Sequence, residues 1–199
     1  MTTLRFCLAA ALLTSALIAQ KDAGGVPAPT EALERGRTVY VLSACHYCHG
    51  VDLAQTAMGA ANLLHSRMVG ADVGGNLMGP LIKAGLPALQ TSMPSYYDMT
   101  PQEITDLSAY IHYLRQKGRY AELKAAPLPA GDTARGKTAF RGSAKCAGCH
   151  TPKSLVSRLK KTPPERTDQL LLPAPHSRFT ENAQPAEVAD LLAYLDKLR

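Results

Sequence analysis

Cys45-His46-Tyr47-Cys48-His49 and Cys146-Ala147-Gly148-Cys149-His150 share one form, C-x-x-C-H. These two pentapeptides take four of the five Cys in the chain. Their surroundings repeat too. Glu34-Arg35-Gly36-Arg37-Thr38-Val39-Tyr40 precedes the first, and Ala134-Arg135-Gly136-Lys137-Thr138-Ala139-Phe140 precedes the second. Thr100-Pro101-Gln102-Glu103-Ile104-Thr105-Asp106-Leu107 follows the first, and Gln184-Pro185-Ala186-Glu187-Val188-Ala189-Asp190-Leu191 the second. Each closing segment has Pro in its first turn and acids nearby, where fixed φ and the helix dipole favour them. Ile104, Leu107, Ile111 and Leu114 keep helical spacing, as do Val188, Leu191, Leu192, Leu195 and Leu198. One unit is written twice, so two domains are expected. Each is mainly α, with an opening and a closing helix around a variable middle. Gly59 to Gly85, rich in Gly and Ala, reads as loops with short helices.

The first residues read as an address. Arg5 is the only charge before position 21, and an apolar run from Phe6 to Ile18 follows it. That run is too short to span a bilayer and suits a signal-peptide core. Residues 1–19 are expected to be cleaved, taking Cys7 with them. The alternative is an uncleaved anchor, the one case in which membrane contact is expected. The product is an exported, periplasmic chain with a first domain over 20–125 and a second over 126–199. They join near Lys124 to Gly131, a short, stiff, Pro-containing linker. Domains this small have marginal cores, which a large attached apolar group would supplement.

C-x-x-C-H is the attachment motif of c-type haem. One helical turn sets Cys45 and Cys48, or Cys146 and Cys149, beside the two vinyl groups of one porphyrin. The next residue, His49 or His150, aims an imidazole at the iron. A structural zinc needs four ligands, and each motif gathers at most three. A thioredoxin-like pair belongs in a βαβ pattern and needs no following His. A disulfide gives no reason for the His to recur. Two covalently bound haem c groups are therefore expected.

From residue 31 onward the chain resembles the class I cytochromes c in their tandem dihaem form. The resemblance rests on the two motifs, on Gly36/Tyr40 and Gly136/Phe140 in the opening helices, and on Tyr110 and Tyr194 in the closing ones. It implies that opening and closing helices cross at these positions, with Gly allowing close approach. It also implies a sixth iron ligand from a loop just before the closing helix. In the first half Met93, followed by Pro94, holds that place, and Pro favours extended backbone there. Met78 is the alternative, and Met58, Met68 and Met99 read as packing residues. The second half has no Met. Aligning the closing helices puts His176 within one residue of the Met93 position, in the Pro-marked loop 172–176. Ligation by His150 and His176 is expected. Otherwise that iron is five-coordinate or takes a Lys. His65 and His112 are expected to face solvent, and His46 not to reach an iron.

The formal charge is +6, with no run of like charge resembling a nucleic-acid arm. Residues 20–125 hold 9 basic and 9 acidic side chains, residues 126–199 hold 12 and 7. Lys153, Arg158, Lys160, Lys161 and Arg166 cluster after the second motif, where an acidic partner would be steered or where a solvated face would simply lie. No nucleic-acid partner is expected. Two function classes remain. The first is a single-electron carrier between redox proteins, with a periplasmic dehydrogenase as donor and an oxidase or another cytochrome as acceptor. The second is a haem enzyme of small dihaem peroxidase or thiosulfate-oxidising type, with a labile site at the second haem. Thioether plus imidazole raises the potential, so electrons are expected to enter at the second domain and leave from the first.

Overall fold

A computed structural model of the chain describes residues 30–86, 93–125, 127–163 and 176–199. The expected leader, residues 1–19, and most of the Pro-marked loop, 172–175, lie outside them. All regular structure among the described residues is helical. The first half holds α1 (Glu31–Leu42), α2 (Cys45–His49), α3 (Arg67–Ala71), α4 (Met78–Ala84) and α5 (Pro101–Ala125). The second holds α6 (Thr133–Arg141), a 3-10 turn (Cys146–Gly148), α7 (Pro152–Leu159), α8 (Ser177–Asn182) and α9 (Pro185–Lys197). The described residues between α5 and α6 are non-helical. No helix among the described residues is long and apolar enough to cross a membrane.

The closing helices start where reciprocal caps satisfy their first amides. The Thr100 amide donates to Glu103 Oε2 at 2.8 Å, and the Glu103 amide donates to the Thr100 hydroxyl at 3.2 Å. In α9 the Gln184 amide donates to Glu187 Oε2 at 2.9 Å. Pro101 and Pro185 each begin their helix, a place where a missing amide proton costs nothing.

The crossings come out twice. α1 packs on α5 and α6 packs on α9. A Cβ on Gly36 would stand 2.0 Å from the Asp106 carbonyl oxygen, and one on Gly136 would stand 1.9 Å from that of Asp190. Only glycine lets the backbones meet this closely. Beside the contact, Tyr40 and Tyr110 rings lie 5.7 Å apart, and Phe140 and Tyr194 rings 5.5 Å apart. Arg35 Nε reaches Asp106 Oδ2 at 2.7 Å, and Arg135 Nε reaches Asp190 Oδ2 at 2.7 Å. The arginine hydrogen bonds hold both carboxyls below their usual range.

α5 does not stop with its apolar stripe at Leu114 but runs on to Ala125, burying Arg115, Gln116 and Arg119. These polar groups meet the second half. Arg115 Nε donates to Glu181 Oε1 at 2.7 Å, and both side chains are 3% exposed. Arg119 Nη2 donates to the Ala183 carbonyl at 2.7 Å. The expectation that His112 faces solvent is wrong: its side chain is 18% exposed, with Nδ1 2.7 Å from Glu181 Oε1 and Nε2 3.1 Å from the Asp72 carbonyl. It is buried because the adjoining half supplies partners for a polar stripe that would otherwise be solvated. His65 stays half exposed, and its Nε2 lies 2.9 Å from Glu122 Oε1.

Candidate functional site

Each C-x-x-C-H motif is entered through a left-handed residue. Ala44 has φ +59° and Lys145 has φ +52°. This conformation is costly for residues with a Cβ, yet both motifs use it to turn the chain from the opening helix into the Cys pair. In the first half Cys45, Cys48 and His49 follow on α2 and line one side of a largely apolar cavity of about 260 Å³. His49 Nδ1 lies 3.0 Å from the Ala61 carbonyl, which orients the ring and leaves Nε2 as the nitrogen available to a metal. Burial lowers the His49 pKa against the effect of that hydrogen bond, a shift that favours the neutral imidazole, the form that binds metal.

Burial also pushes the Cys45 thiol up to about 11 and raises that of Cys146. A reactive C-x-x-C pair needs the opposite shift.

Met93 lines the same cavity as the Cys pair. Its loop is fixed at several points. The Leu86 amide donates to the Met93 carbonyl at 3.3 Å, and the Tyr96 amide donates to that of Ile82 at 3.0 Å. The Tyr96 hydroxyl donates to the Ser43 carbonyl at 2.7 Å, next to the motif. Met78 lines the same cavity from α4 but is buried in the apolar core. Met99 fills the core as expected. Met58 does not, being 70% exposed with its sulfur 3.9 Å from Cys48 Sγ. The His46 ring stacks on Tyr47 at 4.3 Å.

The second motif opens on a cavity of about 600 Å³ lined by Cys146, Cys149, His150, His176 and Phe179. His150 and His176 rings stand 5.7 Å apart, centroid to centroid. Imidazole nitrogens sit about 2 Å from a first-row metal, so two rings on opposite sides of one metal have centroids about 6 Å apart. The separation is compatible with both imidazoles holding one metal between them. Part of this cavity belongs to the first half: Gly70, Ala71 and Val73 form one wall. α3 thus partitions the two cavities, with Met68 and Val69 lining the first and Gly70 and Ala71 the second.

Sequence reasoning missed the polar residues behind this partition. Asp72 is fully buried, accepting from the amides of Gly75, Leu77 and Met78 and from the Ser108 hydroxyl, at 2.7 to 2.9 Å. Burial works to raise its pKa, and these hydrogen bonds outweigh that and lower it. Asp72, His112, Arg115, Glu181 and Asn182 lie far apart in the chain and carry no motif. Their only sequence signal is that Arg115 and Arg119 continue the helical face of Ile104 and Ile111.

Comparison with curated proteins and with solved structures found no match. Residues 33–115 match the family model described as Cytochrome c, a stretch that ends within α5, before the second motif. It takes in the crossing of α1 with α5, the first C-x-x-C-H and Met93. Residues 33–115 are thus similar to a cytochrome c domain, the domain of haem-binding electron-transfer cytochromes, and such a domain implies covalently bound haem c.

Proposed function

We propose that the chain is an exported dihaem cytochrome that relays single electrons between redox proteins, with one class I cytochrome c domain in each half. The observation that carries this reading is the same construction at both motifs: a Cys pair and a following His line a cavity that a second Lewis base, Met93 or His176, also lines. Cys45 and Cys48 would hold one haem and Cys146 and Cys149 the other, each group supplying an iron that cycles between ferric and ferrous states. His49 and Met93 ligate the first iron. Met93 is favoured over Met78 because its loop is tied to both α4 and Ser43, whereas Met78 completes the core. His150 and His176 ligate the second, as the 5.7 Å ring separation supports.

Both irons are then closed to substrate, which suits a carrier. Thioether ligation favours ferrous iron more than a second imidazole does, and axial ligands shift potentials by hundreds of millivolts, on the order of the family range. Electrons therefore enter at the second half and leave from the first. Lys153, Arg158, Lys160 and Lys161 are exposed around α7 and steer an acidic donor to that end. Arg166 lies outside the described residues. Export rests on the apolar run from Phe6 to Ile18 after Arg5. The test is a redox titration with CO binding. Two separated potentials and no CO adduct are expected. A single isopotential pair, or a haem that binds CO, contradicts the assignment, and the second outcome favours the enzyme reading.

A further inference from the structure

The second site is not built from the second half alone. His176 precedes α8, a helix of six residues. Helices below about 12–15 residues do not hold themselves in water, so something must fix α8 for His176 to stand against His150. Phe179 and Ala183 attach its apolar side to the second-half core. Its polar side reaches across. Glu181 Oε1 accepts from Arg115 Nε at 2.7 Å and lies 2.7 Å from His112 Nδ1. Asn182 Oδ1 accepts from Arg115 Nη2 at 3.2 Å, and Asn182 Nδ2 donates to the Gly70 carbonyl at 3.3 Å. Arg115 is itself fixed by the carbonyls of Leu63 and Leu64, which accept from Nη1. A buried carboxylate held by a rigid guanidinium is an orientation device more than a source of stability.

We propose that Glu181 is a positioning residue for the second haem site: gripped from the first half by Arg115 and His112, it fixes α8 and with it His176. The distal coordination of the second iron is then set by the contact between halves. This rests on the reading of His176 as a ligand, and the experiment separates the two claims.

Full-length haem-loaded protein is prepared as wild type, H176A, E181A and E181Q. CO binding to the reduced form and EPR of the ferric form are recorded, with circular dichroism as a check of folding. Wild type binds no CO. E181A binds one CO per chain and loses one low-spin ferric signal, while the sulfur-to-iron charge-transfer band of the Met-ligated haem stays. E181Q, whose amide oxygen still accepts from Arg115, restores the closed state. H176A gives the same single opening. If H176A opens one haem and folded E181A opens none, positioning by Glu181 is overturned while ligation stands. If H176A opens none, the ligation reading fails and the proposal falls with it. Should E181A not mature, Glu181→Asp decides the matter, since it keeps the charge and shortens the reach to Arg115 Nε and His112 Nδ1. CO at one haem supports the proposal, and none overturns it.

Discussion

The two halves use the same joints but not the same filling. In the first, the core extends from Tyr40 through Leu53, Leu64, Val69 and Met78 to Met99 and α5, and Cys45 packs against it. In the second, the described core is confined to Phe140, Leu159, Ala183 and the inner face of α9. Its motif forms a 3-10 turn rather than an α-helical one, and Cys149 is exposed. The cavity beside it is more than twice as large and borrows a wall from α3. A repeated frame therefore does not imply repeated independence. The first cavity is lined by described residues of its own half, while the second takes part of its wall from the neighbouring half.

The largest effect expected from this contrast comes from separating the halves. Residues 20–125 loaded with haem should melt cooperatively, whereas residues 126–199 alone should show no cooperative transition by calorimetry. A second half that melts as sharply as the first breaks the comparison.

Next come the crossings. Gly36→Ala and Gly136→Ala each drive a methyl into a backbone carbonyl and should cost about 3 kcal/mol or more in denaturant unfolding. The heavier consequence should fall on Gly136→Ala, with loss of the second haem, because less core remains to hold that crossing together. Equal haem retention in the two variants would mean that the second half is as self-sufficient as the first.

A smaller effect is expected from acid. Asp106 and Asp190 have folded pKa values below the unfolded value of about 3.9. A depressed carboxylate adds stability that is present above the unfolded pKa and is lost as pH falls through the folded one. Melting temperature should therefore drop as pH is lowered from about 4, and Asp106→Asn and Asp190→Asn should each flatten that slope. Because Arg35 and Arg135 are well exposed to solvent, the two slopes should be similar and salt-sensitive. The smallest effect is a gain. Ala44→Gly and Lys145→Gly relieve left-handed backbone and should each stabilise by about 1 kcal/mol.

Much of the frame was legible in the residues. Gly36 and Gly136, the aromatic a turn later and the Pro-led closing helices carried the resemblance that implied the crossings, and each answers to a physical rule: close approach, ring packing or helix initiation. His49 and His150 were singled out by C-x-x-C-H, a local signal, Met93 by the Pro that follows it and by the resemblance, and His176 by aligning the closing helices; each pair lines one cavity. The interface between halves was not legible. Arg115 and Arg119 carry no sequence signal of what covers them, because burial of a charge depends on a partner such as Glu181, 66 positions from Arg115. Nothing short of the folded chain brings that partner into view. His112 was misjudged on the same ground: amphipathic spacing identifies a polar face but not what covers it.

The central claim is that both halves carry a porphyrin through thioethers, and intact-mass spectrometry of the matured protein tests it most directly. The account predicts a mass equal to the processed chain plus two haems, with proteolytic peptides showing one on Cys45/Cys48 and one on Cys146/Cys149. A chain carrying one haem, with Cys146 and Cys149 free or joined in a disulfide, would contradict it.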